Sequence, residues 1–94
     1  MYKLVISSQF KRSLRKFTRR HVNLQGKIEK TLLAMENDVF AANLGTHKLT
    51  GKLSGLLSCS CGYDCRIIFS LKTDEGTGET VILLLDIGTH EDVY

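Results

Sequence analysis

Five side chains could do acid–base and phosphate chemistry: His47 and His90 near expected strand ends, Asp64 and Arg66 on the strand between them, and Tyr94. An imidazole gives or takes a proton near neutral pH, so two of them supply an acid and a base. A guanidinium such as Arg66 grips a phosphate through two parallel hydrogen bonds and offsets the charge of a pentacoordinate transition state. Tyr94 can stack on a base or share in proton transfer. The spacing His90-x-x-x-Tyr94 puts both rings on one side of a helical turn. These parts suit cleavage of RNA by its own 2′-hydroxyl, a reaction that needs a base, an acid and a cationic clamp. They call for no metal and no cofactor.

The elements that must position these groups can be read from period and punctuation. Tyr2–Ile6 is rich in β-formers and predicts a short first strand. Ser7 or Ser8 can cap a helix whose apolar stripe is Phe10, Leu14 and Phe17, and His21-Val22-Asn23 breaks it. A second helix starts near Leu24, carries Leu24, Ile28, Leu32 and Met35 on one face, and closes at Asn37-Asp38. Two amphipathic helices this close should form an antiparallel hairpin. Beyond Asp38 the period changes, and Gly45, Gly51, Gly55 and Gly62 mark short strands joined by turns. Strands are expected at Thr46–Leu49, Leu56–Cys61, Tyr63–Lys72 and Val81–Ile87, with a hairpin turn at Asp74–Gly78. The order β-α-α-β-β-β-β predicts one α+β domain over residues 1–94, with helices packed on one face of a mostly antiparallel sheet.

Alternation along Tyr63–Lys72 would put Tyr63, Cys65, Ile67, Phe69 and Leu71 under the helices. Asp64 and Arg66 would then be neighbours on the open face, about 7 Å apart at roughly 3.3 Å per residue. Cys59, Cys61 and Cys65 fall on the inward parity. Their C-x-C-x3-C spacing lacks a second ligand pair, so they read as small buried apolar residues rather than a metal site. Three cysteines are an odd set, which argues against a secreted disulfide framework.

Charge is unevenly spread. Residues 1–30 hold nine basic side chains against Glu29 alone, whereas residues 31–94 hold four basic and nine acidic. A basic face of this kind suits nucleic acid or an acidic partner. No apolar run approaches the ~20 residues of a membrane span, and the N-terminus lacks the signature of a signal peptide, which predicts a cytoplasmic protein without membrane contact.

Taken in order, several segments resemble the RelE/ParE superfamily of bacterial type II toxin–antitoxin modules, and within it the YafQ-like mRNA interferase branch. They are the opening strand leading to Phe10-Lys11-Arg12, then His47-Lys48-Leu49-Thr50-Gly51-Lys52-Leu53, Gly62-Tyr63-Asp64-Cys65-Arg66-Ile67-Ile68-Phe69, and Ile87-Gly88-Thr89-His90-Glu91-Asp92-Val93-Tyr94. The resemblance implies a RelE/ParE-like microbial RNase fold, a strand and two helices over a twisted sheet, that cuts mRNA in the ribosomal A site. By motif position it makes His47 and His90 the catalytic histidines and Asp64 the catalytic carboxylate. It sets Arg66 on the scissile phosphate and makes Tyr94 the functional terminal aromatic. Lys11, Arg12, Arg15, Lys16, Arg19, Arg20, Lys48 and Lys52 would meet ribosomal RNA and message. A monomeric toxin would be held by its antitoxin in a hetero-oligomeric complex. Ser60 stands where relatives often carry a basic residue or histidine, and Asp86 where the branch can carry arginine. Those departures leave open a catalytically weakened homologue that mainly binds antitoxin; a ParE-type gyrase inhibitor is the other alternative.

Overall fold

A computed structural model describes residues 2–94. Strand β1 (Lys3–Ile6) leads into helix α1 (Ser8–Arg20). Ser7 is the cap, its hydroxyl accepting the Phe10 N–H at 3.0 Å, which satisfies one of the orphan donors of the first turn. Phe10 and Phe17, seven residues apart, bury one stripe of α1, and every basic residue of the helix is exposed. A 3-10 turn (Val22–Leu24) joins α1 to α2 (Gln25–Asn37). Helix α2 buries Ile28, Thr31 and Met35, while Leu24 and Leu32 pack only at the rim. Thr31 is tolerated inside because its hydroxyl donates to the Lys27 carbonyl at 2.9 Å. Leu14, Ile28 and Leu32 line an open groove between the two helices.

The remaining strands are β2 (His47–Lys48), β3 (Leu57–Ser60), β4 (Arg66–Thr73) and β5 (Thr80–Gly88), followed by a one-turn helix α3 (His90–Val93). The sheet order is β1-β5-β4-β3-β2; β1 runs parallel to β5 and every other pair is antiparallel. At the β4–β5 hairpin the Asp74 N–H donates to the Glu79 carbonyl at 2.7 Å, and the Asp74 carboxylate accepts the Gly76 N–H at 2.8 Å. Cys59, Ile67, Phe69, Ile82, Leu84 and Ile87 face the helices, where the Cys59 thiol meets the Met35 sulfur at 3.8 Å. Burying each large side chain of this layer contributes about 1.5–3 kcal/mol.

Three expectations need correction. Strand β4 begins at Arg66, not Tyr63. Cys61 and Cys65 are joined by a disulfide, contrary to the reading of three simple buried thiols, and Gly62 (φ 128°) and Asp64 (φ 52°) fold the residues between them into a turn. The Cys61 N–H donates to the Cys65 carbonyl at 3.0 Å, closing that turn as the β3–β4 hairpin. Tyr63 consequently points away from the core, and Asp64 and Arg66 are not successive residues on one strand face. Strand β5 also carries a bulge. Ile68 pairs with Asp86 and Phe69 with Leu84, so Leu85 has no partner and the inward parity shifts from Ile82 and Leu84 to Ile87.

Candidate active site

The face of the sheet opposite the helices carries the candidate residues. Pairing registers place His47 opposite Ser58, and Ser58 opposite Ile68, so their side chains share that face; Ser60 and Arg66 form the next row. Where β5 ends, Thr89 caps α3. Its hydroxyl accepts the Asp92 N–H and the Asp92 carboxylate accepts the Thr89 N–H, each at 3.2 Å. Helix α3 folds back closely over the strand end; a Cβ added to Gly88 would lie 2.7 Å from the Asp92 Cβ. The Thr89 backbone N–H first, then its side chain, and then the nearby Arg20 and Lys16 charges hold the Asp92 carboxyl below its ordinary range.

Two contacts fix α3 over the sheet. The Asp64 carboxylate accepts the His90 backbone N–H at 2.9 Å, supplying negative charge at the first turn of the helix. Asp64 therefore reaches the His90 main chain rather than its ring. At the other end, the Tyr94 hydroxyl donates to the hydroxyl of Ser58, a residue with no exposed surface. The His90 and Tyr94 rings meet edge to face with centroids 4.6 Å apart, the shared side of a helical turn that their spacing predicts.

Arg66, His90, Asp64 and Ser60 line one open cleft, with Tyr63 and Glu91. Arg66 is half-buried and donates through Nη1 to the neighbouring Cys65 carbonyl at 3.1 Å, leaving further guanidinium donors for a ligand. His47 lies outside this cleft, across Tyr94 and Ser58; its strand is three inter-strand spacings from β5, about 14 Å between backbones. Its Nδ1 lies 3.0 Å from the Gly45 carbonyl, which can only accept, so a neutral His47 keeps the Nε2 lone pair free. Lys48 and Lys52 are exposed in β2 and the 3-10 turn that follows it.

Asp86 does not line the Arg66–His90 cleft. Its carboxylate turns back to accept the Ile87 N–H at 2.9 Å, and it borders a separate cleft with Lys16 and Arg20. Of the two departures from the family pattern, Asp86 therefore lies outside the cleft lining, whereas Ser60 stands inside it. Sequence reasoning passed over Ser58 and Glu91. The signal for Ser58 was a lone hydroxyl between Leu57 and Cys59, on the parity facing away from the helices.

Among the described residues, no group of histidine, cysteine and carboxylate side chains is arranged to hold a metal. No helix among them is long and apolar enough to cross a membrane.

Comparison with solved structures finds the same fold throughout the chain. YafQ from Escherichia coli strain BL21(DE3) matches with a TM-score of 0.77 at 17% identity, covering 100% of this chain and 99% of that one. The E. coli DinJ–YafQ complex gives a TM-score of 0.73 at 18% identity, covering 100% and 99%. A YoeB/ParE toxin from Agrobacterium tumefaciens gives 0.73 at 17% identity, covering 94% and 98%. No curated protein sequence matches. The family model for the bacterial toxin of type II toxin–antitoxin systems, YafQ, matches residues 2–94, and the chain belongs to that family.

Proposed function

We propose that the protein is a metal-independent endoribonuclease that cuts mRNA on the translating ribosome. The observation that carries this reading is the cleft in which Arg66 and His90 converge, with His90 held through its backbone by Asp64 and with His47 presented from the opposite side of Tyr94. In the reaction, the 2′-oxygen attacks the adjacent phosphorus and the bond to the 5′-oxygen breaks. This yields a 2′,3′-cyclic phosphate and a 5′-hydroxyl. His47, with Nε2 free, takes the 2′-hydroxyl proton, and His90 protonates the leaving 5′-oxygen. Arg66 offsets the extra negative charge on the phosphoryl oxygens. Asp64 acts by positioning His90, and Tyr94 borders the reacting nucleotide.

The exposed basic residues Lys11, Arg12, Arg15, Lys16, Arg19 and Arg20 of α1 would face ribosomal RNA, and Lys48 and Lys52 the message beside His47. A cognate antitoxin would hold the toxin in an inactive complex, as DinJ accompanies YafQ in the E. coli assembly. Action on ribosomes requires the cytoplasm. The test is to induce wild type, His90→Ala and His47→Ala in a bacterial host and follow growth and message integrity. Loss of a general acid or base costs ~10²–10⁴ in rate, so both variants should permit growth and leave messages intact. Growth arrest with intact messages and inhibited DNA supercoiling would favour a gyrase target instead.

A further inference from the structure

Tyr63 is 97% exposed, although an aromatic ring is among the side chains that gain most from burial. The turn that carries it is fixed at both ends by the Cys61–Cys65 disulfide, so the ring is offered to solvent from a rigid base. It forms part of the wall between two open clefts. One is the Arg66–His90 cleft; the other is lined by Lys27, Lys30 and Asn43, and Ser60 and Gly62 belong to both. The two clefts are joined at Gly62, where a Cβ would come within 3.2 Å of the Lys27 side chain at Cδ. Absence of that Cβ lets the Lys27 stem lie across the turn and bring its ammonium towards the site. Rigid aromatic face, flanking cations and continuity with the scissile centre are the parts of a single-strand binding track.

We infer that Tyr63, Lys27 and Lys30 form a subsite for the nucleotide adjoining the cut. Its base stacks on Tyr63, and its phosphate lies on the two lysines. This rests on the ribonuclease reading, because it takes the Arg66–His90 cleft as the place of cleavage. Stacking accepts any base, so the subsite adds affinity and alignment more than sequence choice.

The test uses full-length His90→Ala protein, which should bind without cutting, and a short fluorescein-labelled oligoadenylate. Anisotropy is followed across a salt series. Adding Tyr63→Ala should weaken binding roughly 5- to 150-fold at every salt concentration, and Tyr63→Phe should restore most of it. Adding Lys27→Ala with Lys30→Ala should lower the slope of log affinity against log salt by roughly 0.7, the worth of one single-strand phosphate contact. Unchanged affinity on Tyr63→Ala, or an unchanged slope on removing both lysines, would overturn the subsite. Message cleavage by the otherwise wild-type protein is measured in parallel. A protein that binds through Tyr63 but cuts nothing would remove the nuclease reading, and with it the place of the cut, while leaving Tyr63, Lys27 and Lys30 as a single-strand binding site. One that cuts equally well with Tyr63→Ala, and binds equally well, would remove the subsite alone.

Discussion

Replacing Tyr94 by phenylalanine should destabilise the protein more than replacing its hydrogen-bond partner Ser58 by alanine. The bond is shared, but the partners left behind differ. Ser58 is wholly buried on the open face of the sheet, whereas Tyr94 is 44% exposed. Tyr94→Phe strands a buried hydroxyl with no water to turn to, which costs about 1–3 kcal/mol. Ser58→Ala leaves a phenol that rebonds to solvent and also removes a polar atom from the interior, so its cost should stay near 0.5 kcal/mol, the low end for a net hydrogen bond. The double variant should cost less than the sum of the two, because the stranded hydroxyl is gone; the coupling should be about 1 kcal/mol. Urea denaturation reads this directly. With a slope of about 1–3 kcal/mol/M, a 2 kcal/mol loss moves the midpoint by roughly 0.7–2 M. Equal costs for the single variants, or strict additivity in the double, would refute the claim that Tyr94 anchors α3 through a buried partner.

Asp64→Gly keeps the left-handed backbone but loses the acceptor for the His90 N–H, and should slow cleavage about fivefold, the worth of an exposed charged hydrogen bond near 1 kcal/mol; Asp64→Asn, which keeps both, should fall less. Converting Cys61 and Cys65 to serine opens a loop with a sequence separation of 4 and should lower stability by about 2 kcal/mol in urea melts. Cys59, whose thiol is pushed up to about 12 by burial, should resist alkylation at pH 8 in the native protein and label once unfolded. Asp92 has its folded pKa depressed, so its contribution is present above the unfolded carboxyl value near 3.9 and is lost as pH falls through the lower folded one. Asp92→Asn should therefore narrow the stability gap to wild type below about pH 4, read as converging urea midpoints.

Much of the fold was legible because period and punctuation agree with tertiary packing. Ser7 caps where a capping residue was expected, Phe10 and Phe17 form the buried stripe, and Asp74–Gly78 makes its turn. Two features stayed hidden for definite reasons. Leu83, Leu84 and Leu85 are chemically alike, so a parity shift at Leu85 leaves no mark in the sequence, and only Ile87 facing inward discloses it. Gly62 marked a break between strands, but Tyr63 and Asp64 continued the alternation of the residues after them and read as strand, although Gly62, Asp64 and two cysteines four apart are what a tight bonded turn requires. At the site, the helical spacing of His90 and Tyr94 could be read directly. The Ser58 anchor depends on pairing between segments 36 residues apart, and the Asp64–His90 bond on segments 26 apart. No local pattern encodes either.

The most direct test of the account is primer extension on a defined message in a translation extract, with end-group analysis of the fragments, comparing wild type with His90→Ala. Wild-type cuts that appear only while ribosomes translate, that carry 2′,3′-cyclic phosphate ends and that vanish in His90→Ala are the predicted result. An uncut message, or cuts that persist undiminished in His90→Ala, would contradict it.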